Sequence, residues 1–128
     1  MTESNLAGQG LVFMCSGQGS QKTGMGSDLL ENPQVKDVFS CASDVFGIDV
    51  AALCCNAPAE VLNDTRNAQA AISALSIGIA RALMYRGVMP GAVLGFSLGQ
   101  TSALALSGMV SDETAFKIIA KRSVLMAQ

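Results

Sequence analysis

The segment Gly95–Gly99, with the sequence GFSLG, constrains the fold of this chain more than any other. It follows the apolar stretch Ala92–Leu94 directly and precedes a helix rich in alanine and leucine, predicted from Leu98 to about Ser107. A serine between two glycines at such a junction is typical of a sharp strand-to-helix turn that projects the hydroxyl of Ser97 from the sheet edge. The alternative is a glycine-rich turn whose serine only caps the helix.

The order of the predicted elements indicates an α/β domain with a parallel sheet. A buried strand is predicted at Leu11–Cys15, and a second, short strand is predicted at Ala92–Leu94. Between them the spacing of apolar residues predicts a helix that ends at Gly47, two short helical pieces, and a long helix over 68–86 capped by Asp64 or Thr65. A last helix is capped by Ser111. Because two strands are few for a stable parallel sheet, we expect the chain to be part of a larger unit.

Composition favours one globular domain over 1–128 and excludes several classes of function. Half of the 128 residues are apolar, 14% are charged, and the net charge is −2. The eight lysines and arginines form no basic patch, which argues against a nucleic-acid partner. The stretch Ala68–Met84 carries Gln69 and Arg81, so we interpret it as a buried helix and expect no membrane span.

The cysteine pattern and the N-terminus indicate a cytoplasmic protein without a metal site. There is no histidine, and none of the four cysteines forms a CxxC pair. We therefore expect reduced thiols packed as small apolar groups. Residues Met1–Gln9 are polar, whereas a secretory signal needs a basic start and an apolar run.

A glycine-rich loop over 17–21, with the sequence GQGSQ, follows the first strand. It lacks the spacing of a phosphate-binding loop and of a dinucleotide fingerprint. We expect it to bring backbone N–H groups beside Ser97, although a simple turn at the end of a strand is the alternative.

Arg122 lies within the apolar stripe of the last helix, which comprises Ala115, Ile118, Ile119, Leu125 and Met126. An inward-pointing guanidinium needs an anionic partner, and arginine matches a carboxylate in two-pronged geometry. That partner is either a substrate carboxylate near Ser97 or an Asp or Glu of the chain. A third possibility is that the Arg122 side chain extends over the core to reach water.

Four segments together resemble the malonyl-CoA:acyl-carrier-protein transacylases, an acyltransferase family. They are FMCSGQGSQKTGMG at 13–26, the helix segment 63–75 that includes Gln69, GFSLGQTSALALSG at 95–108, and KRS with Met126 in the last helix. The resemblance implies the N-terminal half of an α/β-hydrolase-like large subdomain with a parallel sheet. On this resemblance we expect the chain to lack the family's ferredoxin-like insertion and C-terminal half.

The resemblance also implies a role for each matching residue. Ser97 would accept the malonyl group of malonyl-CoA as an ester, and the backbone N–H groups of Gln18 and Leu98 would form the oxyanion hole. Arg122 would bind the free carboxylate. The phosphopantetheine thiol of acyl carrier protein would then accept the group in fatty-acid or polyketide synthesis, with no cofactor. Leu98 is similar to the residue of malonyl-selective relatives.

One departure from the family pattern concerns the general base, a histidine that in the family lies beyond the arginine helix. Since this chain has no histidine, we expect it to be nearly inactive alone. A complementary chain or a homo-oligomer is a possible partner. The alternatives are a non-catalytic or split-enzyme fragment that binds CoA or carrier protein, and a patatin-like hydrolase with a Ser–Asp pair that uses Asp64, Asp112 or another aspartate.

Overall fold

A computed structural model describes residues 10–128, and the expectation for Met1–Gln9 lies outside this range. In chain order the elements are β1 Val12–Cys15, a 3-10 turn Ser27–Leu29, α1 Pro33–Phe46, α2 Val50–Asn56, α3 Ala59–Leu62, α4 Thr65–Tyr85, β2 Ala92–Gly95, α5 Gly99–Leu106 and α6 Asp112–Met126. The predicted α/β order is confirmed.

The two strands pair in parallel, as predicted, from Val12 opposite Ala92 to Cys15 opposite Gly95. The expectation that the first strand is buried is wrong. Alternate residues of each strand face away from the helices, and Met14 remains 80% exposed. Strand patterning shows which side chains share a face, but not whether a second layer covers that face. Among residues 10–128, helices pack on only one side of the sheet.

Helix α4 forms the centre of the helical layer and packs against α1 and α6, which also contact each other. Ten of its 21 residues are buried, which agrees with the predicted buried helix. Length and composition alone would allow it to cross a membrane, since its most apolar 18-residue window passes that test, but 56% of this window is buried in the chain's own core.

Local signals fix most helix ends where they were predicted. Gly47 ends α1 with φ 72°, a left-handed conformation that glycine adopts without steric cost. Asp64 caps α4 by accepting hydrogen bonds from the N–H groups of Arg66 and Asn67. Ser111 caps α6 in the same way through the N–H of Thr114.

All four cysteines carry free thiols in the described structure. Burial raises the pKa of Cys54 to about 12, and Cys15, Cys41 and Cys55 also have raised pKa values, chiefly because of burial. The thiols therefore stay protonated and poorly nucleophilic near neutral pH, in agreement with a structural role.

Candidate functional site

The Ser97 turn has the strained backbone that its two glycines predict. Ser97 is the one non-glycine residue with positive φ in the described chain, at 51°. A Cβ atom on Gly95 would overlap the carbonyl of Gly99, and one on Gly99 would overlap the carbonyl of Cys15. Strand end, turn and helix start therefore approach so closely that only glycine fits on either side of the serine.

The alternative that Ser97 only caps the helix is wrong. Helix α5 starts at Gly99 with Leu98 at the N-cap position, and no side chain caps its N-terminus. The Ser97 Oγ atom instead accepts a hydrogen bond from Arg122 Nη2 at 3.0 Å. The serine hydroxyl is thus directed away from the helix and toward α6.

The glycine-rich loop lies directly against the Ser97 turn. A Cβ atom on Gly17 would lie 2.7 Å from the Phe96 carbonyl oxygen, so this contact requires glycine. Among acceptors in residues 10–128, none receives a hydrogen bond from the backbone N–H of Gln18 or Leu98. The loop and the turn therefore lie against each other, and these two amides have no acceptor within that range, with Leu98 itself fully buried.

Arg122 is held by neutral partners. Its Nη2 atom donates to Ser97 Oγ, and its Nη1 atom donates to Gln69 Oε1 at 3.1 Å. Within the described range no carboxylate lies close enough to form an ion pair with it. Of the three possibilities for Arg122, an internal ion pair is therefore wrong.

Arg81 provides the contrast within the same chain. It binds both carboxylate oxygens of Asp112, through Nη2 at 2.7 Å and Nε at 3.1 Å. That hydrogen-bonded carboxylate raises the pKa of Arg81. The charge of Arg81 is neutralised locally, whereas the charge of Arg122 is available to an anion beside Ser97.

The apolar stripe predicted for α6 is only partly correct. Ala115 and Ile119 are buried, but Ile118, Leu125 and Met126 are between 42% and 56% exposed. The buried face runs instead through Phe116 and Ser123. The spacing of apolar residues identifies the buried face of a helix only to within about one residue position. In addition, the last turn of α6 extends beyond the helices it packs against, so its apolar residues are exposed. Arg122 lies beside this face and is half-buried.

The sequence interpretation named Gln69 but gave it no role. Its side chain is fully buried on α4, where Nε2 donates to Gln18 Oε1 at 3.3 Å and to Met126 Sδ at 3.4 Å. An amide in an otherwise alanine-rich buried run, next to Ala68, is the signal that could have identified it, because a buried amide needs partners.

The two aspartates considered for a Ser–Asp pair have other partners. Asp64 caps α4, and Asp112 binds Arg81. Across 10–128, no group of three or more His, Cys, Asp or Glu side chains is placed to hold a metal ion.

The site is an open surface. Ser97 and Gln18 are exposed, and Phe96, beside the serine, is 75% exposed.

Comparison with known proteins identifies the family. Residues 12–128 match the acyl transferase domain. The malonyl CoA-acyl carrier protein transacylase of Bacillus subtilis is 38% identical over 118 residues, which is 91% of this chain and 30% of that protein. The crystal structure of an acyl carrier protein S-malonyltransferase from Vibrio cholerae superposes with a TM-score of 0.86 at 39% identity, and covers 91% of this chain and 39% of that one.

A further neighbour is a structure of a type II PKS acyl-carrier protein in complex with its malonyl-transacylase. It has a TM-score of 0.84 and 38% identity, over 90% of this chain and 38% of that one. The chain thus spans between 30% and 39% of the length of these relatives. The α/β architecture around Ser97 matches theirs, and the chain belongs to the acyl transferase domain family.

Proposed function

We propose that this chain contributes the acyl-accepting half of a malonyl transfer reaction. Ser97 attacks the thioester carbonyl of malonyl-CoA, the C–S bond breaks, and CoA leaves as a thiol while the malonyl group stays on Ser97 as an ester. The phosphopantetheine thiol of an acyl carrier protein then attacks this ester, which restores the serine hydroxyl. Relatives named as malonyl transacylases, one of them in complex with a carrier protein, support this assignment.

The contact between Ser97 Oγ and Arg122 Nη2, at 3.0 Å, carries the proposal. In a malonyl group one methylene separates the reacting carbonyl from the free carboxylate. The group that binds the carboxylate must therefore lie beside the atom that attacks the carbonyl. Since arginine has five N–H donors and the described contacts use two, Arg122 retains donors for a two-pronged contact with the carboxylate.

Arg122 and the two backbone amides also stabilise the negative charge that develops on the reacting oxygen atoms during the transfer. The guanidinium beside Oγ stabilises the attacking oxygen, and the free amides of Gln18 and Leu98 are candidates for the oxyanion hole. The cost of losing one such donor in other enzymes is about 3 to 4 kcal/mol of transition-state stabilisation.

A fragment that binds malonyl-CoA or carrier protein without transfer is the second candidate. Two observations support this candidate. The sequence has no histidine, and within residues 10–128 no group accepts a hydrogen bond from the Ser97 hydroxyl. A serine without a base is a weak nucleophile, so we expect slow acylation of the chain alone.

Intact mass spectrometry after incubation with malonyl-CoA tests the proposal. We expect one malonyl group on the wild-type chain, added faster when imidazole is supplied as an external base, and none on Ser97→Ala. Ser107→Ala removes another exposed serine hydroxyl and should be labelled like the wild type. Equal labelling of Ser97→Ala would contradict the role of Ser97. No labelling even with imidazole, together with calorimetric binding of malonyl-CoA, would favour the second candidate.

A further inference from the structure

Gln69 is a fully buried polar residue that contacts the same arginine as Ser97, and both ends of its amide have partners. Its side chain has no exposed surface. Its Oε1 atom accepts from Arg122 Nη1 at 3.1 Å, and its Nε2 atom donates to Gln18 Oε1 at 3.3 Å. The amide therefore lies between the arginine on α6 and the glycine-rich loop.

The direction of these hydrogen bonds is fixed by Arg122. A guanidinium only donates, so the amide oxygen must face it and the NH₂ group must face Gln18. The Gln18 side chain continues the row, since its Nε2 atom donates to Thr65 Oγ1 at 3.4 Å at the start of α4. We call Arg122, Gln69, Gln18 and Thr65 the amide row.

Gln69 also holds the arginine without neutralising it. The Asp112 carboxylate both orients Arg81 and cancels its charge. The Gln69 amide supplies an acceptor in the same kind of contact but carries no charge, so the attraction of Arg122 for a second anion is preserved.

We propose that Gln69 is the positioning residue that sets Arg122 and the Gln18 loop relative to each other, and thereby sets the preference for acyl groups that end in a carboxylate. The inference rests on the proposed function, because it takes Arg122 as the group that binds the substrate carboxylate. Gln69 itself touches Arg122 and Gln18, and acts on the substrate through them.

The test compares malonyl-CoA with acetyl-CoA, which lacks the carboxylate, on the full 128-residue chain. Calorimetric affinity and the rate of Ser97 acylation are measured for each, and their ratio is the malonyl preference. We expect Gln69→Glu to lower this preference about tenfold or more, because the new carboxylate pairs with Arg122 and competes with the substrate. We expect Gln69→Met, which keeps the length of the side chain, to lower it by a smaller factor. Values for acetyl-CoA should fall by a smaller factor, because Gln69 also contacts the Gln18 loop.

A purely structural role of Gln69 predicts a different result. Loss of packing would weaken binding and acylation of both thioesters equally and leave the preference at the wild-type value, which would overturn the inference. If neither variant folds by circular dichroism, Gln18→Leu interrupts the amide row at an exposed side chain. It is then expected to lower the malonyl preference, and an unchanged preference would overturn the inference.

Arg122→Met separates failure of the inference from failure of the proposed function. If Arg122→Met retains the malonyl preference, the proposed function fails, and the inference fails with it. If Arg122→Met loses the preference while both Gln69 variants keep it, only the inference fails. In the Arg122→Met background, Gln69→Met should cause no further loss of preference, because Gln69 acts through the arginine.

Discussion

Gly99 illustrates how strongly a single residue limits the geometry of this site. A Cβ atom there would overlap the backbone carbonyl of Cys15, which cannot rotate away as a flexible side chain can. Gly78, in the middle of α4, is different, because a Cβ atom there would meet Val35 Cγ1 at an ordinary contact distance of 3.6 Å. The backbone contact therefore requires glycine at position 99, whereas position 78 has room for an alanine side chain.

We predict that Gly99→Ala destabilises the chain by about 3 kcal/mol, because β1 or α5 must shift to admit the methyl group. Gly78→Ala is the matched control and should stabilise the chain by about 0.5 to 1 kcal/mol, since alanine favours a helix interior over glycine. Urea unfolding followed by circular dichroism measures both changes. Equal stability of the two variants would contradict the close contact at Gly99.

Individual residues were predictable where the signal is local. The positive φ of Ser97 and the need for Gly95 and Gly99 follow from the GFSLG pattern and its place between strand and helix. The role of Gln69 was not predictable, because it depends on Arg122, which is 53 residues further along the chain. A hydrogen bond between two side chains that are so far apart in the sequence produces no periodic pattern from which it could be predicted.

At the scale of elements, the Arg81–Asp112 pair connects three helices. Arg81 on α4 binds the carboxylate at the start of α6, and its Nη2 atom also donates to the Ala105 carbonyl oxygen in α5 at 3.1 Å. The pair is partly buried, and it joins α4 to α6, the helix that carries Arg122.

We predict that Arg81→Met, which retains the apolar part of the side chain, lowers the free energy of unfolding by about 1 to 2 kcal/mol. This is the value of charge-assisted hydrogen bonds, reduced for partial exposure to solvent. Lys117→Met removes the exposed pair with Glu113 and should have a much smaller effect. A double-mutant cycle with Asp112→Asn should show coupling, and additive effects would contradict a direct interaction.

The elements themselves were largely predictable, but the burial of the sheet was not. Helix ends follow from capping residues such as Asp64 and Ser111, which act on the neighbouring backbone. Whether a strand is covered depends on layers that its own residues do not specify, and so the exposure of Met14 was missed. The apolar side chains on this open face agree with the expected complementary chain or homo-oligomer, which stays a prediction.

For the molecule as a whole, the buried thiol of Cys54 links stability to alkaline pH. Its pKa is about 12 in the folded chain, against an ordinary value of 9.0. Between these values the unfolded chain loses the thiol proton and the folded chain keeps it, so the folded state becomes less stable as pH rises. Below pH 9 both states hold the proton, and Cys54 has no effect on the pH dependence.

We predict that the free energy of unfolding falls from pH 9 upward, with a contribution from Cys54 of at most about 1.4 kcal/mol per pH unit. Cys54→Ala removes this contribution and should give a shallower decline, even though loss of packing lowers its stability at pH 7. Urea unfolding at a series of pH values compares the two slopes. Coincident slopes would mean that Cys54 is not shielded from water.

The close approach of Gly99 to Cys15, and of Gly17 to Phe96, has a consequence for protein engineering. The shape of the serine turn is imposed by a strand that precedes it by about 80 residues as well as by its own glycines. A GFSLG segment transplanted into another strand–helix junction would keep its sequence. It would lack the neighbouring strand and loop whose backbone packs against the turn here. A successful graft has to bring 12–17 as well, paired in the same register.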